Sequence, residues 1–344
     1  MVWVSCMTYN QSKYITDAMD SFCKQITNFP FICTIIDDAS TDDESEIIKQ
    51  YLHINFDLKD QSISYTEETD DYNLIFARHN TNFNCFFAVI LLKENHHGKK
   101  SKLPYVEKWT SVSKYRAWCE GDDYWTDPLK LQMQVDFLES HPDYTLIFHD
   151  VAQKIESSKE LIAWKSIENR DYSAKDIISD WIIPTCSVVH RIDTWKKKPS
   201  NKNFKYGDNV IWLTCAMHGK VYGSSKIMGV YRRHADGWTI MHDATNISRK
   251  NAVHYRALID SFKKYQKFKD VIPVIRNIIL DLDIGNILYD YKNNHRIDYK
   301  YTKDFLVNIW HIKYTKNIYP KILNFAKSLL AQNKIIKIIL RNHN

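Results

Sequence analysis

Three carboxylates crowd into one short stretch of this sequence. Residues 118–127 read WCEGDDYWTD, in which Glu120, Asp122 and Asp123 surround Gly121. Acids this close repel one another, and the flanking aromatic residues exclude part of the water that would screen the repulsion. A hard divalent cation accepts such oxygen ligands, shares its shell with substrate phosphates and removes the repulsion. The stretch therefore predicts a site for Mg²⁺ or Mn²⁺.

Two further polar clusters follow predicted strands. The tripeptide Thr8–Asn10 comes after one apolar run, and Asp37 and Asp38 come after another. In an open parallel sheet, ligands bind in the crevice beyond the carboxyl ends of the strands. A tyrosine, an amide and an aspartate suit a nucleobase, which they hold by stacking and by pairing with its polar edge. We expect both clusters to converge with Glu120–Asp123 on one ligand.

The elements around these clusters predict an α/β fold. Apolar runs at Trp3–Thr8 and Phe31–Ile36 alternate with helical spacing, which implies a mostly parallel sheet flanked by helices. The absence of a GxGxxG motif removes the main support for a dinucleotide-binding Rossmann fold. One predicted helix carries Ile15, Ala18, Met19 and Phe22 on one face. Two further helix starts are predicted, one from a capping box at Thr41 and Glu44 and one at Asp127-Pro128. We also expect a strand at Pro184–Val189 and an exposed loop at His96–Lys102.

The composition is that of a globular protein, with 44% apolar and 26% charged residues. Seven cysteines without a CxxC pair argue against a disulfide framework and against a zinc site, and fit a reducing cytoplasm. We expect neither a signal peptide nor a membrane-spanning segment. The net charge of +6 is concentrated after residue 300, where eight Lys and Arg residues face one acid, Asp304. This distribution does not favour nucleic-acid binding.

The basic C-terminal part is predicted to be helical, with an apolar stripe bordered by lysines. The stripe consists of Ile322, Phe325, Ala326, Leu329 and Leu330. It either packs on the enzyme or on a second copy of the chain, or lies on an anionic membrane surface as a peripheral contact. The sequence leaves both alternatives open.

Together, TYN at Thr8–Asn10, IIDDASTDD at Ile35–Asp43 and EGDDYWTDPLKLQMQVDFLESHPDY at Glu120–Tyr144 resemble a family 2 glycosyltransferase of the GT-A fold. The chain is similar to bacterial members that build surface polysaccharides, over roughly residues 1–240. The resemblance implies a nucleotide-sugar-binding half at 1–123, an acceptor-binding half at 124–242 and a helical basic extension at 243–344.

The resemblance also implies site residues. Asp208 is the candidate general base, although glycine replaces the acid that usually precedes it, and Glu120 replaces the usual first aspartate of the metal motif. Asp122 is expected on the ribose side and Asp123 on the metal, with both as candidate ligands. The remaining candidates are Thr8, Tyr9, Asn10 and Asp38 for the donor nucleotide, Arg232, Arg233 and His234 for the diphosphate, and Trp125 and Trp238 for the sugar or acceptor.

The implied activity is an inverting, metal-dependent transfer of a sugar from a nucleotide donor, with UDP expected as the nucleotide. The acceptor is expected to be a hydroxyl of a glycan or a lipid-linked oligosaccharide, and the location to be the cytoplasm or the inner face of the membrane. Two alternatives stay open at this point. One is a nucleotidyltransferase, and the other is a non-catalytic protein that binds sugar nucleotides or glycans.

Overall fold

The computed structural model describes residues 1–158, 160–234, 244–294, 305–306, 308, 320–325 and 328. The chain divides into two compact units. The first consists of Met1–Lys198 and Ile211–Gly237, and the second of Pro199–Val210 and Trp238–Asn344. Helix α7 (Gly207–His218) contributes its first four residues to the second unit and the rest to the first.

The first unit contains one large mixed sheet with helices. Its strands are β1 (Val2–Thr8), β2 (Phe31–Asp37), β3 (Phe56–Asp57), β4 (Tyr65–Glu68), β5 (Tyr72–His79), β6 (Cys85–Leu92), β7 (Tyr115–Trp118), β8 (Tyr124–Trp125), β9 (Tyr144–Ile155), β10 (Leu161–Ala163), β11 (Arg170–Asp171), β12 (Val189–Arg191) and β13 (Lys220–Arg233). Its other helices are α1 (Ile15–Cys23), α2 (Glu44–Asn55), α3 (Leu103–Thr110), α4 (Lys130–Ser140), α5 (Ala174–Asp180) and α6 (Ile192–Trp195).

The centre of the sheet is parallel. The strand order is β11-β13-β9-β12-β7-β1-β2-β6-β5-β3, and β1 runs parallel to both β2 and β7, while β2 runs parallel to β6. Antiparallel strands β5 and β12 flank this centre. In the register Thr8 pairs with Asp37, so β1 and β2 end at the same level of the sheet. The prediction of an α/β fold with a parallel sheet and flanking helices is confirmed.

Burial on both faces explains the continuous apolar runs of the central strands. Every residue of β2 is buried, and β1 is buried except at Met7. Helix α1 covers one face with the predicted stripe of Ile15, Ala18, Met19 and Phe22, all of which are fully buried. A fully buried large apolar side chain contributes about 1.5–3 kcal/mol relative to an exposed one. This buried stripe therefore fixes the position of α1 on the sheet, beside the carboxyl edge of the parallel strands.

The second unit is mostly helical in its described residues after 243. It contains α8 (Ala244–Phe262) and α9 (Ile272–Asn294), which are joined by a two-pronged ion pair between Arg256 and the buried Asp283 at 2.6 and 2.8 Å. Ile322 and Phe325 pack against an apolar cluster around Leu280, whereas the remaining stripe positions, Ala326, Leu329 and Leu330, lie outside the described residues. Among the described helices, none is long and apolar enough to cross a membrane.

Three local predictions are wrong. No capping box forms at Thr41, because Asp43 occupies the N-cap of α2 without a side-chain bond and Glu44 points elsewhere. Helix α4 begins at Lys130, two residues after the predicted proline start, although the Asp127 carboxylate does accept the Leu129 N–H at 2.8 Å. The strand predicted at Pro184–Val189 is a 3₁₀ turn at Thr185–Ser187, followed by the short strand β12.

Candidate active site

The three polar clusters meet at the carboxyl edge of the parallel strands. The Asp38 backbone N–H donates to the carbonyl of Thr8 at 3.1 Å, which joins the ends of β1 and β2. The Gly121 N–H donates to the carbonyl of Met7, also at 3.1 Å, which joins the end of β1 to the turn after β7. The predicted convergence of these clusters is therefore what the structure shows.

Glu44 organises the first two loops. Its buried carboxylate accepts hydrogen bonds from the hydroxyl of Thr8, from the Gln11 backbone N–H at 2.9 Å and from the Ser40 hydroxyl at 2.7 Å. Burial raises the pKa of Glu44, and these hydrogen bonds oppose that rise. A buried carboxylate with three donors fixes the loop that carries the candidate nucleotide contacts.

Two of those candidate contacts are exposed residues of this loop. Tyr9 is 44% exposed, so its ring is accessible for stacking. Asn10 adopts a positive φ of 54°, which asparagine tolerates better than most residues. Its side-chain oxygen accepts the Thr41 N–H at 2.8 Å, and its own N–H donates to the Ser40 hydroxyl at 2.9 Å. Asn10 therefore connects the loop after β1 with the loop after β2.

Glycine is required at position 121 because a side chain would not fit there, and not because of an unusual backbone angle. A Cβ at this position would lie 2.4 Å from Thr8 Oγ1 and 2.5 Å from Gln11 Oε1, well inside van der Waals contact. The turn that carries Asp122 and Asp123 can therefore approach the end of β1 only because residue 121 has no side chain.

Asp38 lies inside a shell of donors. One carboxylate oxygen accepts the His96 backbone N–H at 2.8 Å, and the other forms an ion pair with Lys102 Nζ at 2.8 Å. The Asn95 side-chain amide donates to the Asp38 carbonyl at 3.0 Å. The exposed loop predicted at His96–Lys102 is therefore wrong where it meets Asp38, since His96 is buried and stacks on Tyr105 with ring centroids 5.6 Å apart.

Asp122 and Asp123 point in different directions. Asp123 is buried, and its carboxylate accepts the Arg232 backbone N–H at 2.9 Å. Burial, and then the neighbouring charge of Asp122, raise the pKa of Asp123 well above its ordinary value. The Asp122 side chain is 20% exposed, and its Oδ2 lies 3.1 Å from His234 Nε2. Asp122 is therefore the acid of this pair that lies beside a second metal-binding side chain.

The end of β13 supplies the basic residues. Arg232 and His234 are buried on one side of the strand, and Arg233 between them is exposed on the other. The Arg232 guanidinium donates to the Asp122 carbonyl at 2.9 Å and pairs with the Asp17 carboxylate of α1. The structure therefore brings Arg232 and His234, but not the side chain of Arg233, to the acidic turn.

Aromatic rings enclose these basic side chains. The Arg232 guanidinium lies 4.5 Å from the ring centroid of Tyr124 and 5.2 Å from that of Tyr14. The Tyr14 ring also lies 4.6 Å from the His234 ring, and its hydroxyl donates to Glu156 at 2.9 Å. Such cation–π contacts stabilise a partly desolvated guanidinium.

Trp125 corrects one prediction. Its ring is 4% exposed, packs on Phe22 with centroids 4.9 Å apart, and donates its indole N–H to the Cys186 carbonyl at 2.7 Å. Because both the face and the N–H of the ring are used inside the core, Trp125 supports the site from below rather than contacting a sugar. Trp238, the other predicted sugar contact, lies outside the described residues.

Asp208 lies in the first turn of α7, within the second unit. Its Oδ1 accepts the backbone N–H of Asn209 at 2.7 Å, and burial raises its pKa. A carboxylate with a raised pKa is a stronger base than a solvated one. Glu120 is half-buried, and its backbone carbonyl accepts the Asp123 N–H at 3.2 Å, which closes the turn.

Asp122 and His234 are the residues that fit a divalent cation. They offer one carboxylate oxygen and one imidazole nitrogen at adjoining positions, and both are ligands of Mn²⁺. Among the described residues, no group of three or more His, Cys, Asp or Glu side chains converges as a metal cage. Two protein ligands suffice for Mg²⁺ or Mn²⁺ when substrate phosphates and water complete the shell.

Residues 4–80 match the family model described as glycosyl transferase family 2. Among curated proteins, the chain is similar to the uncharacterized protein Rv1520 of Mycobacterium tuberculosis (strain ATCC 25618 / H37Rv). The two are 32% identical over 253 residues, which is 71% of this chain and 61% of the relative. The chain thus spans less than two thirds of the length of that relative.

Two solved structures share the fold. TarS of S. aureus in complex with UDP-GlcNAc superposes with a TM-score of 0.54 at 14% identity, over 89% of this chain and 79% of TarS. The mannosyltransferase PcManGT from Pyrobaculum calidifontis, in complex with GDP-Man and Mn²⁺, has a TM-score of 0.51 at 11% identity, over 96% of this chain and 85% of its own. At these identities the likeness shows the fold alone.

The sequence alone did not identify several residues that build the site. The sequence pattern around Glu44 predicted a helix cap, and the pattern around Lys102 predicted an exposed loop. Both predictions used neighbouring residues alone and missed the contacts that these side chains make. Tyr14 and Asp17 could not be found from local sequence, because their partners Glu156 and Arg232 lie more than a hundred residues away in the chain. Cys186 could not be found either, since its carbonyl accepts the indole N–H of Trp125, which lies 61 residues away.

The close approach at Gly121 generates a stability prediction. Gly121→Ala should lower the free energy of unfolding by about 1–3 kcal/mol, because the new Cβ overlaps Thr8 and forces the turn outward. Urea unfolding measures this change. The control is Gly285→Ala, where no atom lies within 4 Å of the added Cβ in the middle of α9 and about 1 kcal/mol of stabilisation is expected. Equal stability of the Gly121 variant and the wild type would contradict the packing argument.

Proposed function

We propose that this chain is a family 2 glycosyltransferase of the GT-A fold and that it transfers a sugar from a nucleoside diphosphate donor to an acceptor hydroxyl, with inversion at the anomeric carbon. The observation that carries the proposal is the placement of Asp38, Asp122 and His234 at one edge of the parallel sheet. At this edge Asp38 would bind the base, while Asp122 and His234 would hold a metal ion that neutralises the diphosphate.

UDP is the proposed nucleotide. Asp38 and the exposed ring of Tyr9 would hold the base, and the Asp38–Lys102 pair gives this position both an acceptor and a donor for the polar edge of uracil. Two solved relatives of the fold are complexes with UDP-GlcNAc and with GDP-Man, and the first of these agrees with a uracil base.

The chemistry requires a base, an activated leaving group and the exclusion of water. Asp208 would accept the proton of the attacking hydroxyl as the new bond forms, and a positioned general base contributes typically 10²–10⁴-fold. Arg232 would face the negative charge that develops on the leaving diphosphate, and His234 would act on that charge through the divalent cation. A single displacement from the opposite face inverts the anomeric centre.

Asp122 and His234 would hold the divalent cation, Mn²⁺ or Mg²⁺, which supplies charge neutralisation at the diphosphate when bound. Asp123 then has a supporting role, because its carboxylate is buried against the Arg232 backbone and fixes the direction of the neighbouring Asp122. This assignment replaces the expectation that Asp123 is the principal ligand.

The acceptor is proposed to be a glycan or a lipid-linked oligosaccharide of a cell-envelope polysaccharide. The basic C-terminal part supports the proposal that the protein is cytoplasmic and contacts the inner face of the membrane, because its lysines would complement anionic lipid headgroups. The competing proposal is that the same part packs on the enzyme itself or on a second copy of the chain, and the contact of Ile322 and Phe325 with the cluster around Leu280 supports packing on the enzyme.

Ligand-induced stabilisation tests the donor site. UDP together with Mn²⁺ should raise the unfolding temperature by several degrees, because a ligand at one hundred times its Kd stabilises the folded state by about 2.7 kcal/mol. Asp122→Asn should remove the metal-dependent part of the shift. Asp127→Asn should keep it, because this acid of the same segment only bonds the Leu129 N–H. Absence of a shift with both UDP and GDP, with and without Mn²⁺, would refute the proposed function.

The pH dependence tests the base. Because burial raises the pKa of Asp208, the loss of kcat on acidification should begin at a higher pH than for a solvated carboxylate of pKa about 4. Asp208→Asn should lower kcat about 10²–10⁴-fold and leave UDP affinity unchanged. Retained transfer in this variant would remove Asp208 from the base role, and UDP binding without transfer by the wild type would favour a non-catalytic sugar-nucleotide-binding protein.

A further inference from the structure

The segment Pro199–Val210, which carries Asp208, belongs to the second unit. It is attached to helix α8 by side-chain contacts. The Tyr206 hydroxyl donates to the side-chain oxygen of Asn251 at 2.6 Å. Asp208, the candidate base, therefore lies in a segment whose described side-chain contacts within the second unit are with α8.

His254 of α8 contacts this segment on both sides of Asp208. Its Nδ1 accepts the Lys205 backbone N–H at 3.2 Å, and its Nε2 lies 3.3 Å from the side-chain oxygen of Asn209. Its ring packs edge-on against Tyr206, with centroids 5.0 Å apart and planes at 82°. The His254 side chain is fully buried.

These contacts assign one tautomer to His254. Because Nδ1 accepts a backbone N–H, the ring proton lies on Nε2, which donates to the Asn209 oxygen. Burial, together with the positive charge of Lys205, lowers the pKa of His254 to about 4, so the ring is neutral near pH 7. A protonated ring would carry a hydrogen on Nδ1 and lose the contact with Lys205.

Asn209 links this histidine to the candidate base. The Asn209 side chain is bonded to His254, while its backbone N–H donates to Asp208 Oδ1 at 2.7 Å. The Asn209 backbone N–H therefore restricts the rotation of the Asp208 carboxylate, because it holds one of the two carboxylate oxygens, and the contact with His254 holds Asn209 itself in place. We assign the other oxygen to the proton of the acceptor hydroxyl.

We propose that His254 is a positioning residue for sugar transfer, which fixes the direction of the Asp208 carboxylate by holding the chain at Lys205 and at Asn209. This inference rests on the proposed function, because it requires Asp208 to be the general base. It goes beyond that function by assigning a role to a fully buried histidine of α8. A displacement of the base by about 1 Å lowers a rate by about 10²-fold, so such a contact has a measurable effect on kcat.

The test is His254→Phe, which keeps an aromatic ring in the same packing and removes both hydrogen bonds. The matched control is Asn201→Ala, which removes a 3.2 Å bond to Ser261 at the far end of the same segment. The quantities measured are kcat of sugar transfer with Mn²⁺, the Kd of UDP, and the pH dependence of kcat. All are measured with the full chain after circular dichroism has confirmed folding.

For His254→Phe, kcat should fall about 10–100-fold while the Kd of UDP stays within about two-fold of the wild type. The midpoint of the acid limb should also move toward the ordinary carboxylate pKa of about 4, because a loosened segment admits water to Asp208. Asn201→Ala should leave kcat and the acid limb unchanged. If His254 had only a structural role, kcat would change only together with UDP affinity, and the acid limb would not move.

Unchanged kcat and an unchanged acid limb in a folded His254→Phe protein would overturn the inference, as would a parallel loss of kcat and UDP affinity. If the phenylalanine variant fails to fold, His254→Gln serves instead. It keeps a donor toward Asn209 and loses the acceptor for Lys205, and the same outcomes decide. Asp208→Asn distinguishes a failure of the proposed function from a failure of this inference alone. Retained transfer in that variant refutes the base and this inference together, whereas an inactive Asp208→Asn beside a normal His254→Phe refutes this inference alone.

Discussion

Negative charge concentrated at one edge of a parallel sheet is the constraint around which this structure is arranged. Asp38, Glu44, Asp122 and Asp123 all lie there, and an unpaired buried carboxylate is costly. Each of them is met by its own set of partners. Hydroxyl and backbone groups bond Glu44, Lys102 and a backbone N–H bond Asp38, a backbone N–H bonds Asp123, and His234 lies beside Asp122.

The differences among these acids explain their separate roles. Glu44 and Asp123 are enclosed by protein donors, so they shape the loops and are not exposed to a ligand. The Asp122 side chain retains 20% exposure, and its described side-chain contact is with His234, a residue that can itself bind a metal. The candidate base, Asp208, is carried by the other unit, where burial raises its pKa and α8 fixes its segment. Donor binding and proton removal are thus assigned to separately supported parts of the chain.

The sequence predicted the arrangement of the edge but not its internal partners. Apolar runs followed by TYN, DD and EGDD placed three polar clusters at strand ends, and parallel strand geometry then required them to meet. The orientation of neighbouring acids could not be predicted, because Asp122 and Asp123 differ by one position in a turn whose direction depends on contacts with Arg232, over a hundred residues away. The burial of Trp125 escaped prediction for the same reason, since its partners Phe22 and Cys186 are distant in sequence. A local reading of Glu44 as a helix cap failed because the tertiary bond to Thr8 outweighs the local one.

We propose that a nucleoside diphosphate and its divalent cation bind at the corner formed by Asp122 and His234. The most direct measurement is anomalous diffraction at the manganese edge from a crystal soaked with UDP and MnCl₂. We expect a manganese peak within bonding distance of an Asp122 carboxylate oxygen and of His234 Nε2, with the diphosphate completing the shell. Bound UDP without manganese at this corner, or manganese held by other residues, would contradict it.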